Sequence, residues 1–184
     1  MNYEPKSNVQ KTVSIGVMAA ILAVLSQISV PLPSGVPVTL QTFAVALCGY
    51  FLGPALGTAA VGVYLVLGAV GVPVLAGFAG GLGSFIGVTG GFLWGFLPMA
   101  FLCGLGVKSR NKLLTIALGM AGLAACHLCG GIQFSLVMDT PFLQAFLIAS
   151  LPYLAKDIVS VILAYLGATV LKVSLKKAGL GDIT

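Results

Sequence analysis

Residues 146–173 read FLIASLPYLAKDIVSVILAYLGATVLKV, with a lysine and an aspartate, Lys156 and Asp157, side by side near the start of the run. A stretch of this length and apolarity can cross a hydrocarbon core about 30 Å thick. It decides the fold class: an all-α integral membrane protein. A charged residue inside such a segment costs about 2.5–3.5 kcal/mol on insertion scales, so the pair is a functional-site candidate by default. The rest of the chain agrees, with a mean hydropathy of +1.12. Of its 184 residues, 59% are hydrophobic and only 7% charged, which is no soluble domain.

At about 20 apolar residues per crossing, the chain is expected to form one domain over residues 1–184 with six transmembrane helices. These fall at about 12–29, 38–53, 55–71, 86–106, 113–137 and 146–173. Pro31, Pro33, Gly35 and Pro37 separate the first two spans, Gly53-Pro54 joins the second to the third, and Asp139-Thr140-Pro141 precedes the sixth. The first span follows no small-residue cleavage pattern and reads as retained. Residues 68–91 are too rich in glycine for one straight helix and read as helix end, ordered loop and helix start.

Charge placement checks the number of crossings. Lys6 and Lys11 precede the first span, Lys108, Arg110 and Lys112 lie between the fourth and fifth, and Lys172, Lys176 and Lys177 end the sixth. Short cytoplasmic loops collect lysine and arginine, and six crossings put all three clusters on that side with both termini cytoplasmic. Connections 30–37, 72–85 and 138–145 then face outward without a lysine or arginine. The net charge of +5 is thus a topology signal and implies no nucleic-acid partner. A multi-pass protein of a bacterial plasma membrane, surrounded by lipid, is the expected setting.

In this topology Lys156 and Asp157 lie in the outer half of the last span. Neighbouring helix positions project about 100° apart, so the two side chains are expected to satisfy each other poorly and to seek other partners. Lys156 either snorkels to the outer headgroups or lines a polar pocket. Thr39 and Gln41 sit at the same depth, as ligand contacts or as hydrogen-bonding glue between helices. The glycine-rich loop lacks a Gly-Lys-Ser/Thr ending and any cation, which excludes a phosphate-binding loop. It offers close backbone approach, Phe78 as an apolar wall, and Ser84 and Thr89 as hydroxyls.

Ala19 and Ala23, with Gly16 and Ala20 as a second such pair, give the first span a small-residue face suited to docking another membrane protein or to internal packing. Cys48, Cys103, Cys126 and Cys129 all fall in apolar segments. The Cys126-His127-Leu-Cys129 run lacks further ligands for zinc, so no metal is expected. Of the four acids, Glu4, Asp139, Asp157 and Asp182, only Asp157 is placed inside the membrane. That is few for an ion-coupled transporter, and no inverted repeat or nucleotide site is visible. Uphill movement of a solute would draw its energy from a partner.

Two runs carry a resemblance: Gly71-Val-Pro73-Val-Leu-Ala-Gly77-Phe-Ala-Gly80-Gly81-Leu-Gly83, and Gly87-Val-Thr89-Gly90-Gly91-Phe92-Leu93-Trp94-Gly95-Phe96. Together they closely resemble the signature of the BioY family, the biotin-binding S components of energy-coupling factor (ECF) transporters. Pro152-Tyr153-Leu-Ala-Lys156-Asp157 matches that family's last helix, and Ala19-x-x-x-Ala23 looks like the docking motif of its first. Val88 departs from the proline that many members have there. The resemblance implies the six-helix S-component fold and high-affinity capture of biotin from outside. It also implies a transmembrane coupling subunit and two ATPase subunits as partners.

On that resemblance the chain is a binding subunit and no enzyme, biotin is its cargo, and no cofactor is expected. Asp157 and Gln41 suit the ureido head, Lys156 the biotin carboxylate or a supporting place beside Asp157. Phe78, Tyr64, Trp94 and Tyr153 are candidate walls, with backbone at Gly80 and Gly81 completing the site. A self-sufficient secondary transporter of biotin or a related small carboxylate is the alternative, and a thiol oxidoreductase using Cys126 and Cys129 a third.

Overall fold

The first helix starts earlier than its apolar run suggests, because the Ser7 hydroxyl accepts from the Gln10 amide and caps it. The computed structural model describes residues 3–4, 7–32, 35–109, 111–178 and 182–183. Helix α1 (Asn8–Ser26) is followed by α2 (Gln41–Ala69), a short α3 (Gly83–Ile86), α4 (Gly90–Lys108), α5 (Lys112–Met138), α6 (Phe142–Ala149) and α7 (Leu151–Lys177). The two-residue strands β2 (Ser29–Val30) and β3 (Val38–Thr39) pair antiparallel between α1 and α2. Strands β1 (Tyr3–Glu4) and β4 (Asp182–Ile183) pair antiparallel and bring the chain ends together, as an even number of crossings requires.

Helix α2 is two spans in one. Gly53 sits at φ 79°, where glycine escapes the clash that a side chain would suffer, and Pro54 follows without an N–H to donate. The chain folds back there: Gln41 Nε2 donates to the Tyr64 hydroxyl at 2.7 Å, a pair that a straight helix would hold about 35 Å apart. The arms pack so closely that a Cβ on Gly57 would lie 2.8 Å from Gly49 Cα. Among the described residues five helices are long and apolar enough to cross a membrane, and the reversal divides α2 into two shorter arms, which brings the count close to the six spans expected. The protein is a multi-pass membrane protein. Val13, Val17, Leu166 and Val170 are among the many large apolar side chains on its outer surface, the reverse of a soluble bundle.

The last segment departs from its expected bounds. Residues 146–149 belong to α6, and Ser150, at φ −120° and ψ −51°, breaks the helix before α7. Pro152 is the cause, since its ring disfavours continuous helix on its N-terminal side and suits a first turn.

Lys172 also departs from expectation: it is not a solvated flank residue but is buried within the bundle. Its ammonium donates to the Tyr50 carbonyl at 2.8 Å. In a helix that carbonyl would accept from residue 54, which is proline, so Lys172 replaces the missing amide at the reversal. Lys11, Lys108, Lys112, Lys176 and Lys177 gather at the same end of the bundle as this reversal, while Lys6, Arg110 and Pro33 lie outside the described residues.

On α1 the two small-residue pairs face different ways. Ala19 is 3% exposed and packs in the core with Ala23 against it, while Gly16 and Ala20 are exposed. Ala19 is therefore filled by internal packing, with Ala23 half-buried beside it.

Replacing Lys172 by methionine keeps the stem and deletes the donor, leaving a buried carbonyl unmet at about 1–3 kcal/mol. The thermal midpoint of the purified protein in detergent is expected to fall by several degrees, and an unchanged midpoint would contradict the capping role.

Candidate functional site

Away from the lysine-rich end, the segment 35–39, the start of α2, the loop 75–89, the first half of α4, the middle of α5, the end of α6 and the start of α7 enclose a cavity of about 380 Å³. Ligand sites commonly occupy about 300–1,000 Å³. Its apolar walls come chiefly from Phe92, Leu93 and Phe96 of α4, Leu75 of the loop, Val36, and the Tyr153 ring. Close packing of α4 on α5 sets one wall: a Cβ on Gly95 would lie 2.6 Å from Cys126 Cα. That seam delivers His127 to the cavity.

The polar end is a three-residue cluster. Asp157 is 4% exposed. Lys156 Nζ lies 2.5 Å from its Oδ1, and His127 Nε2 lies 3.2 Å from its Oδ2. The adjacent pair thus does meet, contrary to the expectation drawn from the 100° projection, because the four-carbon stem of lysine bends across the gap. Lys156 also donates to the Thr39 carbonyl at 2.9 Å, so it is turned into the cavity and does not snorkel outward. The His127 ring stands edge-on to Phe92, with centroids 5.7 Å apart.

Thr39 and Gln41 form the adjoining wall. The Thr39 hydroxyl donates to Gln41 Oε1 at 3.1 Å and accepts from the Gln41 amide at 3.2 Å, while Gln41 Nε2 donates to Tyr64. The Tyr153 hydroxyl donates to the Val36 carbonyl at 2.5 Å, tying α7 to the segment between β2 and β3.

The glycine-rich loop is fixed by side chains that serve its backbone. Ser26 Oγ lies 2.5 Å from the Val74 carbonyl, Gln27 Nε2 donates to the same oxygen at 3.0 Å, and Gln27 Oε1 accepts from the Phe78 amide at 2.9 Å. From α5, Gln133 Nε2 donates to the carbonyls of Phe85 at 2.8 Å and Gly87 at 2.7 Å. Leu75 is buried against Gly68 and pins the middle of the loop to α2.

Of the residues singled out in the sequence, the structure brings Thr39, Gln41, Ser84, Thr89, Tyr153, Lys156 and Asp157 together around the cavity. Phe78, Tyr64, Trp94, Gly80 and Gly81 are not in its lining. Phe78 is 69% exposed with only its amide held by Gln27, and Trp94 is 52% exposed with its ring on Phe85 at 5.3 Å. Tyr64 is buried behind Gln41 as its hydrogen-bond partner. Gly80 packs on the loop backbone near Val72, and Gly81 takes φ +89° while its amide donates to the Gly68 carbonyl at 2.7 Å. His127 and Thr42 line the cavity without having been selected. A histidine inside an apolar span was itself a signal, diverted by its place between two cysteines. All four cysteines are free, and Cys126 is buried with its sulfur 3.6 Å from the Phe92 carbonyl. No group of metal ligands occurs among the described residues.

Comparison with known proteins agrees with this architecture. A model of the BioY family matches residues 1–177. The probable biotin transporter BioY of Pyrococcus horikoshii is 38% identical over 145 residues, covering 79% of this chain and 85% of that one. The biotin transporter BioY of Thermotoga maritima is 35% identical over 164 residues, covering 89% and 96%. A crystal structure of the S-component for biotin from an ECF-type ABC transporter superposes with a TM-score of 0.81 at 28% identity, covering 91% of this chain and 95% of that one.

Replacing Gln133 by leucine removes both donors to Phe85 and Gly87. Amide hydrogen exchange across residues 83–89 is expected to quicken while the helices keep their protection, and unchanged exchange in that segment would show that the loop holds itself.

Proposed function

The chain belongs to the BioY family, and we propose that it is the biotin-capturing S component of an ECF-type importer. In this reading it takes biotin from outside and passes it inward with a coupling subunit and two ATPase subunits, without chemistry of its own. The observation that carries the reading is an apolar cavity with one polar end, Lys156, Asp157 and His127, set away from the lysine-rich end of the bundle. The positive-inside rule makes the lysine-rich end cytoplasmic, so the cavity belongs to the outer half.

Biotin is a fused apolar bicycle with a ureido head, a flexible arm and a carboxylate. The Phe92, Leu93 and Phe96 wall suits the bicycle, and an ionised carboxylate, which only accepts, suits the ureido N–H groups. Asp157 has acceptor positions beyond those facing Lys156 and His127. Gln41 presents an amide already oriented by Thr39 and Tyr64. Lys156, the more exposed of the pair, balances Asp157 and is the cation closest to hand for the biotin carboxylate.

Asp157→Asn is the sharpest test. A hydrogen bond to a charged group contributes about 1.5–3 kcal/mol, so biotin affinity is expected to fall about tenfold to a hundredfold. Wild-type affinity in the folded variant would remove Asp157 from the site.

Docking to the coupling subunit falls in this reading to the outward pair, Gly16 and Ala20. A side chain on Gly16 would meet nothing within 4 Å, so the isolated chain tolerates bulk there. Gly16→Trp and Ala20→Trp are expected to abolish uptake by the assembled transporter while biotin binding to the chain stays at its wild-type value. Full uptake in both variants would place docking elsewhere.

A further inference from the structure

His127 is a 3%-exposed histidine in the cavity wall, and it joins the Asp157 carboxylate from a different helix than Lys156. The imidazole nitrogen 3.2 Å from a carboxylate oxygen carries the hydrogen, so Nε2 donates to Oδ2. Nδ1 is buried without a hydrogen-bond partner. The ring is held by its edge-on contact with Phe92 and by the α4–α5 seam at Gly95 and Cys126. The contact to Asp157 is thus what its polar side does in the folded chain.

The consequence concerns charge. Lys156 occupies one oxygen of Asp157 and His127 the other. One full positive charge and one further N–H donor therefore already face the single negative charge of the cluster. Asp157 can still accept hydrogen bonds in its remaining lone-pair directions, but it has no uncompensated negative charge to offer a cation. A head group that donates N–H bonds while staying neutral fits such a site. One that donates the same bonds while carrying a positive charge is opposed by Lys156 and finds Asp157 already compensated.

We propose that His127 is a positioning residue that makes the cavity select neutral N–H donors over cationic ones of the same shape, by committing one oxygen of Asp157. The inference rests on the reading of the cavity as a biotin site and goes beyond it, because that reading assigns His127 no part in discrimination. The action is indirect: His127 fixes the orientation of the carboxylate that meets the ligand and takes up part of its acceptor capacity.

The test compares two ligands of nearly equal shape, biotin and 2-iminobiotin, in which a guanidine replaces the ureido group and is cationic at neutral pH. Both are titrated into the purified full-length chain in detergent, wild type and His127→Leu, His127→Asn and His127→Gln, with thermal melts to establish folding. In His127→Leu the iminobiotin-to-biotin affinity ratio is expected to rise about tenfold, the scale of one hydrogen bond to a charged group. His127→Asn, whose shorter amide cannot reach Asp157, is expected to shift with it. His127→Gln, which can place an N–H near the Nε2 position, is expected to keep the wild-type ratio.

Equal losses for both ligands in the leucine and asparagine variants, with the ratio unmoved, would reduce His127 to a packing residue and overturn the proposal. A glutamine variant shifted as far as leucine would overturn it as well. Failure of folded wild-type protein to bind biotin would instead sink the reading of the cavity itself, a separate outcome.

Discussion

An aspartate inside an apolar helical bundle has to be met by donors, and the architecture at the outer end of this protein follows from meeting Asp157. An unpaired buried charge is too costly to keep. A positive charge comes from the next residue on α7, whose stem bends back to reach it, and an N–H donor from the middle of α5. Lys156 in turn reaches the Thr39 carbonyl at the entry to α2. Three parts of the chain distant in sequence are therefore registered against one another by a single carboxylate. The cavity is the space left where they meet the aromatic wall of α4.

The same logic governs the irregular backbone. Away from water, an N–H or C=O released from a helix has to be satisfied by the protein itself. The glycine-rich loop is tolerated because Ser26, Gln27 and Gln133 serve its carbonyls and one of its amides. At the opposite end the reversal at Gly53 and Pro54 is tolerated because Lys172 reaches the carbonyl that proline cannot serve. A few polar side chains facing the backbone hold the two departures from straight helix, and those departures give the bundle its binding end and the two arms of α2.

Much of this was legible in the sequence. Segment length and hydropathy set the spans, turn residues set the breaks, and lysine placement set the number of crossings. The pair Lys156 and Asp157, with Thr39 and Gln41 at the same depth, marked the polar end before any coordinates. What remained hidden was rotation about each helix axis. A segment apolar on every face carries no amphipathic stripe to say which side turns inward. Phe78, Trp94 and Tyr64 therefore read as walls although two face outward and one sits behind Gln41, and the small residues Ala19 and Ala23 suit docking and internal packing alike. His127 was hidden differently, since its meaning depends on Asp157, thirty positions along the chain and on another helix. Lys172 looked like one more cytoplasmic lysine, because the vacancy it fills belongs to Pro54 on another helix.

The central claim is that this chain alone forms a complete capture site for biotin. It is tested most directly by calorimetric titration of biotin into the purified wild-type protein in detergent, with no partner subunit and no nucleotide present. The account predicts saturable one-to-one binding with a negative heat-capacity change from burial of the bicycle against the aromatic wall. Absence of binding in a preparation that melts cooperatively would contradict it.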